Sequence, residues 1–319
     1  MNYKEVFNTM VDETAHYLID NKLKTMVLGI SGGLDSTVTA AICYEVVNRY
    51  PEHNFRFIGV NLPCSSNTDM ENFSASWCMK AFCKEGDYWF ENIQKEYMLL
   101  KATCELHGES TSISQGNIKA RLRMIYLYNL ASINNGIVMD TDNLTEHYLG
   151  FFTIHGDVAD YNPIGGLWKH EVYELASYLK DKYEREKKNY RMSNDSFDSI
   201  DDLKMLENYK NKIDAINYAI GIRPTDGNGV NDLGDMGQIA PEFANDKNKA
   251  AYTYVDDIIK TYIDFVGRHR EVFYAAMDAL YTEYGRDTVD GIINRIKKTE
   301  YKRRRMPLVI PRNKYENFN

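Results

Sequence analysis

The residues with the clearest chemical potential lie in a short segment near the amino terminus. Residues 26–40 read MVLGISGGLDSTVTA, an apolar run followed by Gly32, Gly33, Asp35 and Ser36. Paired glycines let a backbone adopt positive φ and come close to a ligand, and the N–H groups of a loop that opens a helix converge on an anion. A carboxylate in such a loop predicts a Mg²⁺ ligand, because Mg²⁺ joins carboxylates to phosphate oxygens. The alternative is an ordinary Gly-Gly turn with a helix N-cap at Asp35 or Ser36.

This loop differs from the two most familiar phosphate loops. It holds no lysine at the place that G-x-x-x-x-G-K-[ST] requires. It also lacks the G-x-G-x-x-G spacing of the dinucleotide-binding folds. The segment therefore indicates a phosphate site of another kind, with an acid at its mouth.

A second segment, residues 116–124, carries basic residues with helical spacing. Arg121 shares a helix face with Asn117, and Arg123 shares one with Lys119. Arginine binds phosphates and carboxylates through two parallel hydrogen bonds, which favours a role in a phosphate crevice. The alternative is that these basic residues are simply solvated on a helix surface.

A third segment, residues 138–146, reads VMDTDNLTE and places acids directly after an apolar run. Asp142 suits a helix N-cap, and Glu146 follows one turn later, where it can point back toward the strand ends. Lys169 opens a later helix, either as a solvated lysine or as a point charge for a phosphate. Because parallel strands end at one edge of a sheet, Asp35 and residues 140–142 should reach the same crevice.

Strand and helix patterns alternate along the first half of the chain. Apolar runs predict strands at 26–30, 55–62, 88–93 and 137–140, and helical patterns cover 3–22, 36–48, 68–84, 117–133 and 167–180. The alternation predicts an α/β fold with a doubly wound, mostly parallel sheet. Residues 247–298 return to helical patterns, so we expect a helical carboxyl-terminal part.

We predict a single domain over residues 1–319 with two interruptions. Residues 181–215 are mainly charged and polar, which predicts an exposed insertion. Residues 221–240 are rich in glycine and show no periodicity, which predicts a mobile loop of the kind that is often functional.

The composition bounds the class of protein. The formal net charge of −8 argues against a protein that grips nucleic acid through its phosphates. No long apolar run and no basic-then-apolar start is present, so neither a membrane span nor a secretory signal is expected. The five cysteines form no C-x-x-C pair, which favours reduced thiols and a cytoplasmic protein.

Two levels of family resemblance follow from these motifs. Ser31–Ser36, SGGLDS, resembles the PP-loop of the ATP pyrophosphatases, which cleave ATP between its α- and β-phosphates. Further segments resemble, in order, motifs of the ammonia-dependent NAD synthetases: Asn117–Met124, Asp140–Glu146, Gly150–Asp157, Lys169 and Tyr301–Pro307. The resemblance implies the Rossmann-like architecture of the adenine nucleotide alpha hydrolases.

The resemblance also implies a role for each matching residue. ATP would be held by Gly29, Ile30, Ser31, Gly32, Gly33, Leu34, Asp35, Ser36, Thr153, Lys169 and Thr225. Asp35 and Lys169 would be catalytic, and Asp35 and Glu146 would bind Mg²⁺. The deamido-NAD substrate would contact Arg121, Asp160, Tyr301 and Lys302.

The chain departs from the family motifs mainly on the substrate side. Asp140 stands where the family has a glycine, Ile154 where it has a lysine, and Tyr301 where it has a histidine. The ATP motifs are intact by comparison, so the resemblance describes the ATP side more closely than the other.

The implied reaction is the ATP-dependent amidation of deamido-NAD to NAD by a carbon–nitrogen ligase. A carboxylate resists attack by ammonia, so deamido-NAD would first become an adenylate, with release of pyrophosphate and then AMP. Too few residues precede the first strand for a fused glutaminase domain, so we expect free ammonia or a separate donor. The resemblance further implies a homodimer, and we expect no nucleic acid or membrane partner. The alternatives are another PP-loop ligase (GMP synthetase-like amidation or tRNA thiolation) and a non-catalytic nucleotide-binding regulator.

Overall fold

The computed structural model describes residues 1–193, 199–222 and 249–303. Within them four parallel strands form one sheet in the order β3-β2-β1-β4: β1 Thr25–Gly29, β2 Arg56–Asn61, β3 Tyr88–Phe90 and β4 Gly136–Val138. The central strand β1 is fully buried over its apolar residues, as expected for a parallel strand covered on both faces.

Helices cover both faces of this sheet and continue beyond it. They are α1 Tyr3–Asp20, α2 Leu34–Arg49, α3 Asp69–Phe82, α4 Gln94–Glu105, α5 Ser112–Ile133, α6 Leu144–Leu149, α7 Lys169–Ser193, α8 Ile200–Gly221, α9 Lys249–Phe265, α10 Arg270–Tyr284 and α11 Arg286–Lys298. Short 3₁₀ turns lie at Pro51–His53 and Glu300–Arg303. The predicted strands and helices of the first half are confirmed, and α4 had not been predicted.

Alternate side chains of β1 enter different cores, because successive side chains of a strand point to opposite faces of the sheet and helices cover both faces. Met26 and Leu28 pack in a cluster with α1, α2 and α7. Val27 points to the opposite face and packs in a cluster with residues of α4 and α5. The chain runs from β1 to β2 on one side, whereas β4 pairs with β1 on the other. The carboxyl ends of β1 and β4 therefore flank a topological switch point, where ligands bind in such folds.

The described residues of the predicted insertion at 181–215 belong mainly to two long helices, α7 and α8, and α8 packs against α2, α3 and α7. Tyr183 and Ala215 are fully buried, and the buried Lys212 donates a 2.8 Å hydrogen bond to the Tyr44 hydroxyl. The other described side chains in this range are mainly exposed or half-buried, and the insertion itself stays a prediction. The single-domain organisation stays a prediction, and residues 223–240 of the predicted loop lie outside the described residues.

The carboxyl-terminal part is helical, as predicted. Helices α9, α10 and α11 form a separate apolar cluster that includes Leu149 of α6. This cluster brings α11 against α6, the short helix that follows β4.

Candidate functional site

The loop after β1 has the geometry of an anion cradle. Gly32 has φ +84, and a Cβ there would lie 2.5 Å from the Glu71 carbonyl oxygen and 2.6 Å from the Ala75 nitrogen. The Ser74 hydroxyl donates a 2.7 Å hydrogen bond to the Gly32 carbonyl oxygen. Only glycine satisfies both the conformation and the close approach of α3.

The start of α2 leaves its N–H groups available to a ligand. Gly33 is the N-cap and offers no side-chain cap, so the predicted alternative of a cap at Asp35 or Ser36 does not hold. Ser31 and Ser36 instead hold the loop itself, with their hydroxyl oxygens 3.1 Å apart and the Ser36 hydroxyl donating to the Gly33 carbonyl oxygen. Uncapped N–H groups at a helix start, together with the helix dipole, form a site for phosphate.

Three charged side chains from separate elements meet beside this cradle. The Nζ of Lys169, a residue that is 2 % exposed, contacts Asp35 Oδ2 and lies 3.5 Å from Glu146 Oε1. Asn143 completes the group, because its Nδ2 donates a 3.0 Å hydrogen bond to Asp35 Oδ1. Residues more than 100 positions apart in sequence are thus brought to one point.

Burial and charge shift the proton affinities of this group. Burial lowers the pKa of Lys169, but Asp35 and Glu146 outweigh it and hold that pKa well above its ordinary value. Burial and the Asp35 carboxylate raise the pKa of Glu146 to about 7, against the opposing effect of Lys169. The lysine is therefore a fixed positive charge next to the anion cradle.

The N-cap of α6 is Asn143, whereas the sequence had suggested Asp142. The Asn143 side chain accepts a hydrogen bond from the Glu146 N–H at 3.0 Å, and Glu146 Oε2 accepts one from the Asn143 N–H at 3.1 Å. This capping box fixes Glu146 with one carboxylate oxygen toward its own helix and the other toward Lys169.

A cavity of about 430 Å³ opens at the carboxyl ends of β1 and β4. Among the predicted site residues, its lining includes Gly29, Ile30, Ser31, Asp35, Ser36, Glu146, Thr153 and Lys302. Thr153 is fixed by a 2.8 Å hydrogen bond from its hydroxyl to Asn117 Oδ1. Lys302 donates to the carbonyl oxygens of Gly150 and Phe152 at 2.8 and 2.6 Å.

Three of the residues predicted to bind the substrate do not line this cavity. Arg121 is exposed and donates a 3.3 Å hydrogen bond to the Ile154 carbonyl oxygen. Asp160 accepts hydrogen bonds from the Val138 N–H at 2.9 Å and from the Tyr128 hydroxyl at 3.1 Å. Tyr301 is 63 % exposed. Their substrate roles stay predictions, and Thr225 lies outside the described residues.

Two arginines in the cavity lining had no role assigned by the family resemblance. Arg123 donates a 2.9 Å hydrogen bond to the Leu62 carbonyl oxygen. Arg295 donates one of 2.9 Å to the Leu149 carbonyl oxygen, and its guanidinium carbon lies 4.5 Å from the centre of the Phe151 ring. The helix pattern had already favoured a phosphate role for Arg123, whereas Arg295 stands among solvated basic residues of α11 and gave no distinguishing signal.

No helix within the described part of the chain combines the length and the apolar character needed to span a membrane.

Comparisons with known proteins agree with this arrangement. The family model for NAD synthase matches residues 6–216. The NH(3)-dependent NAD(+) synthetase of Campylobacter jejuni subsp. doylei is 32 % identical over 180 residues, which are 56 % of this chain and 69 % of that protein.

Two solved structures share the fold over nearly the whole length. NMN synthetase from Francisella tularensis has a TM-score of 0.67 and 22 % identity, covering 98 % of this chain and 99 % of that one. NH3-dependent NAD synthetase from Campylobacter jejuni subsp. jejuni in complex with the nitrate ion has a TM-score of 0.63 and 21 % identity, covering 98 % and 100 %. At these identities the likeness shows the fold alone, and it confirms the predicted doubly wound PP-loop architecture. With a family model matched over about two thirds of its residues, this chain belongs to the NAD synthase family.

Proposed function

We propose that this chain is an ATP-dependent carbon–nitrogen ligase that amidates deamido-NAD to NAD with ammonia. The observation that carries the proposal is the meeting of Lys169, Asp35 and Glu146 beside an uncapped phosphate loop. A protein that only binds a nucleotide has no need of a buried cation between two carboxylates, which disfavours the regulator alternative.

The reaction would proceed in two displacements. The nicotinate carboxylate attacks the α-phosphorus of ATP and pyrophosphate leaves, which gives an acyl-adenylate. Ammonia then attacks the acyl carbon and AMP leaves. The chain supplies positioning and charge: loop N–H groups orient the phosphates, and Lys169 neutralises the charge that develops on the leaving group.

Magnesium fits the residues at this site. Asp35 and Glu146 both reach the same lysine nitrogen, so their oxygens can also share one small cation. In the described ranges no group of three His, Cys, Asp or Glu side chains could hold a metal by itself. This donor set suits Mg²⁺, which commonly takes one or two carboxylates and completes its shell with phosphates and water. When bound, Mg²⁺ would supply charge neutralisation for the departing pyrophosphate.

We further propose that the active form is a homodimer. Large apolar side chains are exposed on α4, at its C-cap and on α5, among them Leu99, Leu106, Ile113, Ile125 and Ile133. Exposed apolar surface of this kind is typical of an interface. A dimer through this face would explain why Arg121, also exposed on α5, has no role in the cavity of a single chain. Sedimentation analysis with Ile125→Asp, which should yield monomers, tests this point.

A cytoplasmic location belongs to the same proposal. The five cysteines are free thiols, as expected in a reducing compartment.

Release of pyrophosphate and formation of NAD on mixing the protein with deamido-NAD, Mg·ATP and ammonia test the reaction. Glutamine in place of ammonia tests the nitrogen source. Nicotinic acid mononucleotide and xanthosine monophosphate in place of deamido-NAD test the choice of substrate. Nicotinic acid mononucleotide is included because an NMN synthetase shares this fold. An intact, ATP-binding protein that releases no pyrophosphate with deamido-NAD and ammonia would overturn the proposal.

A further inference from the structure

The first turn of α7 carries Lys169, and it is capped by residues from other helices. Lys169 is the first residue of α7, and the N–H groups at a helix start have no partners within the helix. Trp168, which precedes it, has no side-chain oxygen to accept them. Glu171 reaches back to the Trp168 N–H at 2.9 Å but leaves the next two N–H groups unsatisfied.

Thr145 of α6 and Asp256 of α9 accept these two N–H groups. The Lys169 N–H donates to Thr145 Oγ1 at 2.8 Å, and the His170 N–H donates to Asp256 Oδ2 at 3.0 Å. Asp256 Oδ2 also lies 2.8 Å from His170 Nδ1. The two accepting residues are each 1 % exposed.

These two acceptors form one chain of hydrogen bonds. The Thr145 hydroxyl donates its proton to Asp256 Oδ1. This bond orients the hydroxyl so that the lone pairs of Thr145 Oγ1 face the Lys169 N–H. Networks of this kind strengthen their members in a buried setting. Asp256 thus fixes the hydroxyl that fixes the backbone of Lys169.

The same helices also fix the side chain of Lys169. Glu146, directly after Thr145 on α6, contacts Lys169 Nζ, and Asn143 on the same turn holds Asp35. Tyr252, one turn before Asp256 on α9, has its ring centre 5.8 Å from that Nζ. Residues of α6 and α9 therefore hold both the backbone N–H of Lys169 and its side-chain ammonium.

We propose that Asp256 is a positioning residue, which caps α7 from outside and places the Lys169 ammonium between Asp35 and Glu146. It touches no reacting atom and acts through Thr145 and the α7 backbone. The inference rests on the proposed function for its kinetic consequences, whereas the cap itself can be measured without substrate.

The kinetic test compares Asp256→Asn and Thr145→Val with two controls. Asp256→Asn replaces one accepting oxygen with a donor, and Thr145→Val keeps the volume but removes the acceptor for the Lys169 N–H. Both should lower kcat about 10- to 100-fold, as removal of a supporting hydrogen bond does at metal sites, with the KM for ATP changed less than about threefold. Thr145→Ser should restore kcat. Asp257→Asn, on the same helix but bonded to the Tyr284 hydroxyl, should leave it unchanged.

A double-mutant cycle with Lys169→Met separates positioning from mere stability. If Asp256 acts through Lys169, Asp256→Asn should cause little further loss of turnover in the Lys169→Met background. An equal loss in both backgrounds would refute the positioning role. If Asp256→Asn fails to fold, Thr145→Val and Thr145→Ser carry the same cycle.

Hydrogen exchange tests the cap independently of turnover. The amide protons of Lys169 and His170 should exchange at least about tenfold faster in Asp256→Asn than in the unmodified protein, while those of β1 should not. Unchanged protection would overturn the cap even if the enzyme is active. Lost protection in a protein that never turns over deamido-NAD would leave the cap standing and refute the proposed function instead.

Discussion

The two sides of the cavity are built in different ways. On the phosphate side, the buried Lys169 contacts the half-buried carboxylates of Asp35 and Glu146, and Asn143 donates a hydrogen bond to Asp35. Three of the residues predicted for the substrate side do not line the cavity: Arg121 and Tyr301 face solvent, and Asp160 accepts a hydrogen bond from the Val138 N–H of β4.

This contrast shows which part of a binding site one chain can complete alone. The phosphate side needs a few groups at fixed distances, and the sheet edge with the helix starts supplies them. The other side must accept a much larger ligand, and its predicted contacts do not converge within the described part of one chain. The proposed homodimer would bring a second copy of this chain to the substrate side.

The largest expected effect is on the phosphate side, at Lys169. Lys169→Met keeps the length of the side chain but removes its charge, so turnover should fall about 100- to 1,000-fold, as for other preorganised electrostatic groups. Lys182→Met is a matched control on the same helix, because Lys182 bridges Glu45 and Glu186 away from the cavity. Steady-state rates of pyrophosphate release check both, and a similar loss in the control would show that any buried charge on α7 matters equally.

Gly32→Ala tests whether the loop conformation itself holds ATP. An added Cβ would meet the backbone of α3 at a position with φ +84, and such strain costs about 1–3 kcal/mol, equal to a change of about 5- to 150-fold in affinity. We expect weaker ATP binding by calorimetry. Gly166→Ala is the control, since no atom lies within 4 Å of its added Cβ. A comparable loss of ATP affinity in this control would show that the effect does not come from the conformation of the loop.

Arg295→Met asks whether the far side of the cavity contributes a cation that the sequence did not reveal. Arg295 stacks on Phe151 and lines the cavity. Its loss should raise the KM of a phosphate-bearing substrate about tenfold, which corresponds to the loss of one hydrogen bond to a charged group. Arg286→Met removes an arginine of the same helix that stacks on Tyr281 outside the cavity. Equal KM values for the two variants would show that Arg295 does not contribute to substrate binding.

The sequence predicted most of the fold and the phosphate side because both depend on local patterns. Apolar runs gave the strands, and the glycine pair with Asp35 gave the cradle. It could not reveal Asp256 or Arg295, because each owes its importance to a partner distant in sequence, Thr145 and Leu149. Composition also could not show the α7–α8 contact, where the Lys212 ammonium lies near the rings of Tyr183 and Tyr209.

The smallest expected effect, at Asp160, decides whether a residue predicted for the substrate is structural. Asp160→Ala would leave the N–H of the buried Val138 without its acceptor, which should lower the free energy of unfolding by about 1–3 kcal/mol. Asp160→Asn keeps an oxygen for that N–H, and the Tyr128 hydroxyl can rotate to accept from the new amide. We therefore expect Asp160→Asn to retain nearly full stability in urea titrations and an unchanged KM for deamido-NAD. A KM that rises in Asp160→Asn without any loss of stability would assign Asp160 to the substrate, and the contrast between the two sides of the cavity would narrow.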